Sequence, residues 1–378
     1  MNKKLNILVL VIGLAIFIVL LFYANSGRDT QTSGGGSFTS YEKARVTSIL
    51  SEDYKASDAF EGQNVGSQIV MIKITSGEYK GLSMSAINYL GAMYGTPLKE
   101  GDRIVTSLYV ENDEVKSATV YEIDRMPIIL LLLLAFVIIT VLIGGKKGAL
   151  SLMGLLITVV SLIWILIPLL MKGAPTLLAT LLICIYVSII SFTLLDGISK
   201  KTLCADIGTI GGMALALIFG WIAQSLLKVN GMRMGDYVDA LIQLKQSGTP
   251  LKISGLLSGG IVIASLGAVM DVAMSISSAL RELTTVNPNL SKKDIWKSGM
   301  NIGRDMIGTM TNTLILAFVG SSFLLVIYIW SLGVPFYELG SSTLVATEMV
   351  HGLASSIGVI LAVPLTILTC SFFYSHKK

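Results

Sequence analysis

Long apolar runs are the feature that most constrains the fold of this chain. A helix that crosses a bilayer needs about 20 mostly apolar residues. Eight stretches of the 378-residue chain meet this requirement, at residues 5–23, 127–144, 148–171, 174–195, 202–227, 253–280, 305–330 and 343–374. Only 14% of the residues are charged, against about 25% in soluble domains. The sequence therefore predicts an α-helical multi-pass membrane protein with about eight transmembrane helices.

Basic residues between these runs predict how the helices are oriented, because cytoplasmic loops carry an excess of Lys and Arg. With the N-terminus inside, the cytoplasmic side receives Lys3, Lys4, Lys146, Lys147, Lys200, Lys201, Arg281, Lys292, Lys293, Lys297, Lys377 and Lys378. The outer side of the helical part receives only Lys172, Lys228, Arg233, Lys245 and Lys252. We therefore expect both termini in the cytoplasm. The first run is interpreted as an uncleaved signal anchor, with a cleaved signal peptide as the alternative.

Residues 28–126 differ in composition from the rest and predict a separate domain outside the membrane. The segment 28–40, "RDTQTSGGGSFTS", is typical of a flexible linker. Four β-like runs follow, "KARVTSIL", "SQIVMIKIT", "DRIVTSLYV" and "KSATVYEI", and "ENDEV" predicts a hairpin-like turn between the last two. We expect a small antiparallel, OB-like barrel or sandwich on the extracytoplasmic side. The predicted domains are 1–27 (first transmembrane helix), 28–126 (β domain) and 127–378 (seven-helix transmembrane domain).

Charge and motifs exclude several classes of function. The net charge of +4 comes without a basic patch interleaved with aromatic residues, which argues against nucleic-acid binding. The three cysteines show no C-x-x-C spacing, so we expect neither a disulfide framework nor a Cys-based zinc site. The chain also lacks H-E-x-x-H, G-x-x-x-x-G-K-[ST] and G-x-S-x-G. We expect no enzyme activity, no metal and no cofactor.

Asp271 is the first candidate functional residue, because it interrupts the sixth apolar run. It lies ten residues before Arg281, which places it about 15 Å from the cytoplasmic edge if the run is helical. Gly267, Ser275 and Ser278 share its helix face. Such a small polar face either packs closely against another helix or lines a wet path. Ionisable residues inside a membrane are costly, and they mark ion or proton pathways more often than lipid-facing surfaces.

A polar stripe in the seventh apolar run is the second candidate. Within "SGMNIGRDMIGTMTNT" it consists of Asn301, Arg304, Asp305, Thr309, Asn312 and Thr313. Because the sixth and seventh runs are antiparallel neighbours, we expect this stripe to meet Asp271 and form a proton relay. Asp206, near the start of the fifth run, is a further candidate. The alternative for all these residues is that they only hold helices together.

Two quoted segments carry a resemblance to a known family. "GGIVIASLGAVMDVAMSISSALREL" and "GRDMIGTMTNTLILAFVG" resemble the most recognisable segments of the YibE/F-like family of bacterial membrane proteins. The layout of a signal anchor, an outer β domain and seven further helices is also similar. The resemblance implies a multi-pass protein of the bacterial cytoplasmic membrane, and it implies no specific activity.

The last three runs bear a fainter resemblance to the SecD and SecF membrane subunits and to the wider RND transporter superfamily. "MDVAMSISSALREL", "GRDMIGTMTNT" and "HGLASSIGVILAVPL" are similar in spacing and direction to the corresponding segments there. The resemblance implies that Asp271 carries the proton and that Arg304, Thr309 and Thr313 are its partners. This chain departs from the pattern by having one outer domain and seven helices after it.

Two hypotheses of different class follow. The first is a transporter or proton-coupled membrane machine with a polar relay between the sixth and seventh helices and an outer β domain that engages an unknown substrate or partner protein. The second is a membrane scaffold or accessory subunit whose polar stripes only pack helices. The expected partner common to both is the lipid bilayer. The G-x-x-x-G pair at Gly255 and Gly259 permits a homo-oligomer.

Overall fold

The computed structural model describes residues 3–26, 37–58, 62–91, 94–229, 238–253 and 255–375. The chain divides into two compact units, one of residues 27–139 and one of residues 1–26 together with 140–378. The strands are β1 (Ser37–Ala56), β2 (Asn64–Ile74), β3 (Ser83–Leu90), β4 (Arg103–Glu111) and β5 (Glu114–Ile123). The helices are α1 (Lys3–Asn25), α2 (Met126–Val160), α3 (Ile167–Met171), α4 (Thr176–Asp196), α5 (Lys200–Leu227), α6 (Val238–Gln246), α7 (Leu256–Val286), α8 (Lys292–Ser321), α9 (Phe323–Ser331), α10 (Phe336–Ser341) and α11 (Thr343–Tyr374). A π-helical turn, Ser161–Leu166, joins α2 to α3.

The five strands form one sheet that closes on itself in the order β1-β2-β3-β5-β4. All neighbours are antiparallel except β3 and β5, which are parallel. Alternate side chains point inward over much of β2, β3 and β4, and Val70, Ile72, Ile104, Leu108 and Val110 are completely buried there. Burial of these branched side chains is the main stabilisation of this unit.

The described strands confirm part of the sequence prediction for this unit and correct the rest. The four predicted runs lie in β1, β2, β4 and β5, whereas β3 was not predicted. Residues 37–40, assigned to the linker, instead begin β1 and pair with β4, and residues 28–36 lie outside the described part of the chain. The hairpin turn is confirmed, since Glu111 pairs with Glu114 around Asn112 and Asp113, whose φ angles are 53° and 64°. These angles are those of a type I′ turn, which matches the twist of paired strands.

Five helices among the described residues are long and apolar enough to cross a membrane, or six if α8 and α9 count as one bent span. The first extends over Met126–Met171, and its backbone leaves the helical conformation at Gly145, where φ is +56°. The seventh predicted run, 305–330, lies within α8 and α9: α8 starts earlier, at Lys292, and the chain bends by 60° between α8 and α9. A capping box of Ser291 and Asp294 explains the earlier start.

The helical core is built around α11, which packs against α5, α7 and α8. Small residues recur at every fourth position of α5 (Gly208, Gly212, Ala216) and of α11 (Gly358, Ala362, Thr366). This spacing places them on one face of each helix, so the two backbones approach closely. A Cβ atom added at Gly212 would lie 2.9 Å from the carbonyl oxygen of Gly358 and 2.9 Å from Val269 Cγ1 of α7. The small residues therefore also fix the position of α7, which carries Asp271.

Candidate functional site

Asp271 points away from the helical core. Val269, Val272 and Ile276 on the same helix are fully buried against α5 and α11, while Asp271 and Ser275 are exposed. Among the described residues, no side chain or backbone group donates a hydrogen bond to the Asp271 carboxylate. The orientation follows from the helical period, because the bulky residues of α7 fill the core and leave the polar face outside it.

The Asp271 side chain opens into a groove of about 400 Å³ between α2, α4 and α7. Most of the lining is apolar and includes Phe192 of α4 and Met270 of α7. Its polar groups are the hydroxyls of Ser151 and Ser191 together with Thr158 and the Asp271 carboxylate, and Thr158 donates its hydroxyl hydrogen to the carbonyl of Gly154 at 2.9 Å. An apolar groove with a few polar groups and one carboxylate has the composition of a small-ligand or ion pathway. The lining serines and Thr158 were not predicted, because isolated hydroxyl residues are common in membrane helices.

Asp206 lies one helix away from this groove and is nearly buried, with 8% of its surface exposed. Its carboxylate accepts a hydrogen bond of 3.1 Å from the Ser188 hydroxyl of α4. Phe192, Ala205 and Ala273 form a small apolar cluster next to it. Phe192 thus packs against Ala205, the residue before Asp206, and also lines the groove of Asp271. The hydrogen bond could not be predicted, since Ser188 is eighteen residues from Asp206 on another helix.

The polar stripe of α8 lies on the outer surface of the helical unit. Asn301, Arg304, Asp305, Thr309, Asn312 and Thr313 are all exposed. Thr309 and Thr313 donate their hydroxyl hydrogens to carbonyls of their own helix, those of Asp305 and Thr309. The opposite face of α8, which includes Ile295, packs into the core with α11. Among the described residues, no side chain of this stripe therefore forms a hydrogen bond or an ion pair with another helix.

The polar face of α7 and the stripe of α8 do not meet in the structure. Leu280 is the α7 residue that faces Gly299 of α8, and it lies nine residues, or two and a half helical turns, from Asp271. The two residues therefore project from opposite sides of α7. Every side chain that lines the Asp271 groove belongs to α2, the π-helical turn, α4 or α7. The structure thus brings Asp271 towards α4 and not towards Asp305.

The glycine pair proposed for oligomer contacts is used inside the chain. A Cβ atom at Gly259 would lie 3.1 Å from Thr180 Oγ1 of α4, and one at Gly255 would lie 3.6 Å from Thr176 Cβ. These glycines allow α7 to pack closely on α4. The Gly255–Gly259 face is therefore covered by α4 within the same chain, and it is not available for a second copy.

A second cavity of about 500 Å³ lies between α8, α9, α10 and α11. Its lining is almost entirely apolar, with Glu348 at the wall, where the carboxylate accepts a hydrogen bond of 3.1 Å from Ser322. His351 packs nearby against the Phe318 ring and against Gly260 of α7. Within the described ranges, no three His, Cys, Asp or Glu side chains come close enough to hold a metal ion.

Basic groups gather at one end of the helical unit. Lys200 donates a hydrogen bond of 3.1 Å to the Phe373 carbonyl of α11, and Lys292 lies 4.6 Å from the centroid of the Phe372 ring. Lys201 forms an ion pair with Asp196 at the same end of α4 and α5. The basic first turns of α5 and α8 thus lie at the level of the C-terminal ends of α4 and α11, which is the arrangement of a membrane–water boundary.

Comparison with known proteins gives one match. The family model of the YibE/F-like proteins matches residues 132–376, well over half of the chain. No curated protein and no solved structure matches the chain, and the resemblance of the last three runs to SecD and SecF stays a prediction. The match covers α7 with Asp271, the whole of α8 and the helices that pack around them. The chain therefore belongs to the YibE/F-like family of multi-pass membrane proteins.

Proposed function

We propose that this protein is a transporter or an ion-coupled membrane machine in which Asp271 binds and releases a proton. The observation that carries the proposal is a carboxylate that opens into a groove between apolar helices, without a hydrogen-bond donor among the described residues. A carboxylate in such a place changes its charge easily when water or an ion enters. We propose Asp206, whose carboxylate accepts a hydrogen bond from Ser188 of α4, as the second acidic group of this pathway.

The proposal includes eight membrane crossings. Met126–Met171 contains 46 residues, or about 69 Å of helix, which is more than twice the hydrocarbon thickness of about 30 Å. The break at Gly145 divides it into two spans, and Lys146 and Lys147 follow the break. With α1, α4, α5, α7, the bent pair of α8 and α9, and α11, the number of spans is eight. The level of Lys200, Lys201 and Lys292 is then cytoplasmic, as are both termini.

We propose that the β unit lies outside the cell as an OB-like module that binds the transported substrate or a partner protein. The strand order with a parallel pair of β3 and β5 supports this, because OB-folds are five-stranded Greek-key barrels with a binding face. A chain that lacks residues 37–123 should keep proton movement and lose substrate handling. Unchanged substrate handling in that deletion would contradict the role of the β unit.

The test of the main proposal replaces Asp271 with Asn, which keeps the size of the side chain and cannot titrate. The matched control is Glu282→Gln, which removes an exposed carboxylate from the same helix outside the groove. Both variants and the wild type are reconstituted in proteoliposomes at equal protein level, and proton flux is followed with a pH-sensitive dye. We expect flux in the wild type and in Glu282→Gln, and its loss in Asp271→Asn. Equal flux in Asp271→Asn would leave a scaffold role for this face.

A further inference from the structure

The polar stripe of α8 lies at a depth at which it would contact lipid if no other protein covered it. A Cβ atom added at Gly303 would collide with Val363 Cγ1 of α11, so the two residues are at the same level. Val363 is nine residues, or about 13 Å, from Phe372, where Lys292 marks the basic boundary. Arg304 and Asp305 follow Gly303 directly, and Asn312 lies about 13 Å deeper. Charged and amide groups at this depth cost several kcal/mol in contact with lipid.

Three residues of this stripe, together with Gly308, have the spacing of a helix–helix seam. Asn301, Asp305, Gly308 and Asn312 follow one another at intervals of four, three and four residues. This period of 3.5 keeps the same face turned towards a partner helix that crosses at a small angle. Gly308 has open space around it, since a Cβ atom there would meet no atom within 4 Å. A small residue in the middle of a polar seam allows a second helix to approach closely.

The charges of the stripe on one chain are complementary to those of the same stripe on a second copy of the chain. In a pair of identical chains in one membrane, the two α8 helices run parallel around a twofold axis along the membrane normal. Residues of equal number then lie at equal depth on both copies. Because Arg304 and Asp305 are adjacent, Arg304 of each copy meets Asp305 of the other, which gives two ion pairs related by symmetry. Asn312 of the two copies can form a hydrogen bond across the axis, as amide side chains do between membrane helices.

We propose that the polar stripe of α8, together with Gly308, is the interface of a homodimer, with Asn301, Arg304, Asp305, Gly308 and Asn312 at its centre. The second copy covers the polar groups that one chain leaves facing lipid, and it supplies each Arg304 with its carboxylate partner. This interface is separate from the Gly255–Gly259 face, which α4 covers. It is also separate from the proposed proton pathway, because Asp271 opens on the other side of α7.

The test uses the full-length protein in detergent and in liposomes, with the mass measured by light scattering and proximity by energy transfer between labelled copies. Gly308→Leu should abolish the dimer, because the leucine fills the seam. Gly320→Leu is the matched control, since Gly320 also lies on α8 with open space around it but away from the central seam. We expect this control to remain dimeric with normal expression.

A charge exchange tests the ion pairs independently of packing. Arg304→Asp and Asp305→Arg alone each place like charges across the axis and should weaken the dimer by tenfold or more. The double variant Arg304→Asp/Asp305→Arg restores complementarity and should recover the dimer. The proposal is wrong if the wild-type protein is monomeric, even if another protein binds it. It is also wrong if Gly308→Leu remains dimeric. If the double variant does not recover the dimer, the proposed ion pairs between Arg304 and Asp305 of the two copies are wrong.

Discussion

The close contact of α5 with α11 and α7 makes Gly212→Ala a quantitative test of the helical core. The added Cβ atom would lie 2.8 Å from Ala362 Cβ, 2.9 Å from the Gly358 carbonyl oxygen and 2.9 Å from Val269 Cγ1. Carbon atoms prefer separations of about 3.5–4.0 Å. The three contacts come from two helices and include a backbone atom, so no single side-chain rotation relieves them. Helix α5 must therefore move away from both neighbours by about 0.5–1 Å.

The free-energy change follows from three contributions. Overpacking of a well-packed core costs about 1–3 kcal/mol. A gap of 0.5–1 Å also removes a quarter to a half of each atom contact of about 0.1–0.2 kcal/mol, or roughly 1 kcal/mol over some 20 contacts. Alanine gains back about 1 kcal/mol of helix propensity relative to glycine. We expect a net destabilisation of about 2 kcal/mol, which corresponds to a decrease in Tm of roughly 4–8 °C.

The buried cysteines provide the assay. Cys184, Cys204 and Cys370 are all free and buried, so a thiol-reactive fluorescent dye reports unfolding of the protein in detergent during a thermal ramp. The control is Gly320→Ala, where the new Cβ atom meets nothing within 4 Å, and we expect its Tm to stay equal or to rise. If Gly212→Ala raises the Tm as much as Gly320→Ala, the close approach of α5 and α11 is refuted.

Two predictions concern the β unit, and hydrogen exchange of the full-length protein measures both. Gln68→Leu should destabilise the unit by about 2–4 kcal/mol, because the buried Gln68 amide accepts from the Leu98 N–H and donates to the Leu98 carbonyl, both at 2.9 Å. Exchange at Leu98 should accelerate, and unchanged exchange there contradicts the role of the amide. Asp113→Gly should stabilise the β4–β5 hairpin by about 0.5–1 kcal/mol, because Asp113 has a φ of 64°. Faster exchange in the hairpin would contradict this.

The strand that sequence reasoning missed shows where the alternation of apolar and polar residues fails. In β3 the inward positions include Ala86 and Asn88, while the large Ile87 and Tyr89 point outward and are 36% and 53% exposed. The usual pattern is therefore inverted at these four residues. Asn88 is accommodated inside because it donates hydrogen bonds to Gln68 and to the Thr96 carbonyl. Those hydrogen bonds join separate parts of the chain, so no local sequence pattern predicts them.

The helices were predictable from composition, whereas the direction of their polar faces was not. Periodicity placed Asp271 on one small polar face and Asp305 on another, and both faces are present in the structure. Which helix each face meets depends on packing, and Gly299 and Gly303 decide it for α8. Because they allow Ile367 and Val363 of α11 to approach, α8 turns its apolar face inward and its polar stripe outward. Sequential, antiparallel helices therefore did not bring their polar stripes together.

The separation of Asp271 from Asp305 constrains how the two can act. A direct proton transfer needs hydrogen-bond reach between the groups or a bridging water. Val272 and Ile276 of α7 are fully buried in an apolar cluster with Val363 of α11, and this cluster lies on the side of α7 that faces away from Asp271. In the function proposed above, the proton of Asp271 therefore moves through the groove between α2, α4 and α7 and does not pass directly to Asp305, which lies at the surface of α8. It follows that Asp271→Asn should stop proton flux and leave the dimer intact. Gly308→Leu should separate the dimer without filling the Asp271 groove. If the proton pathway lies within one chain, this variant should keep its proton flux, and if the pathway needs both copies, the flux should be lost with the dimer.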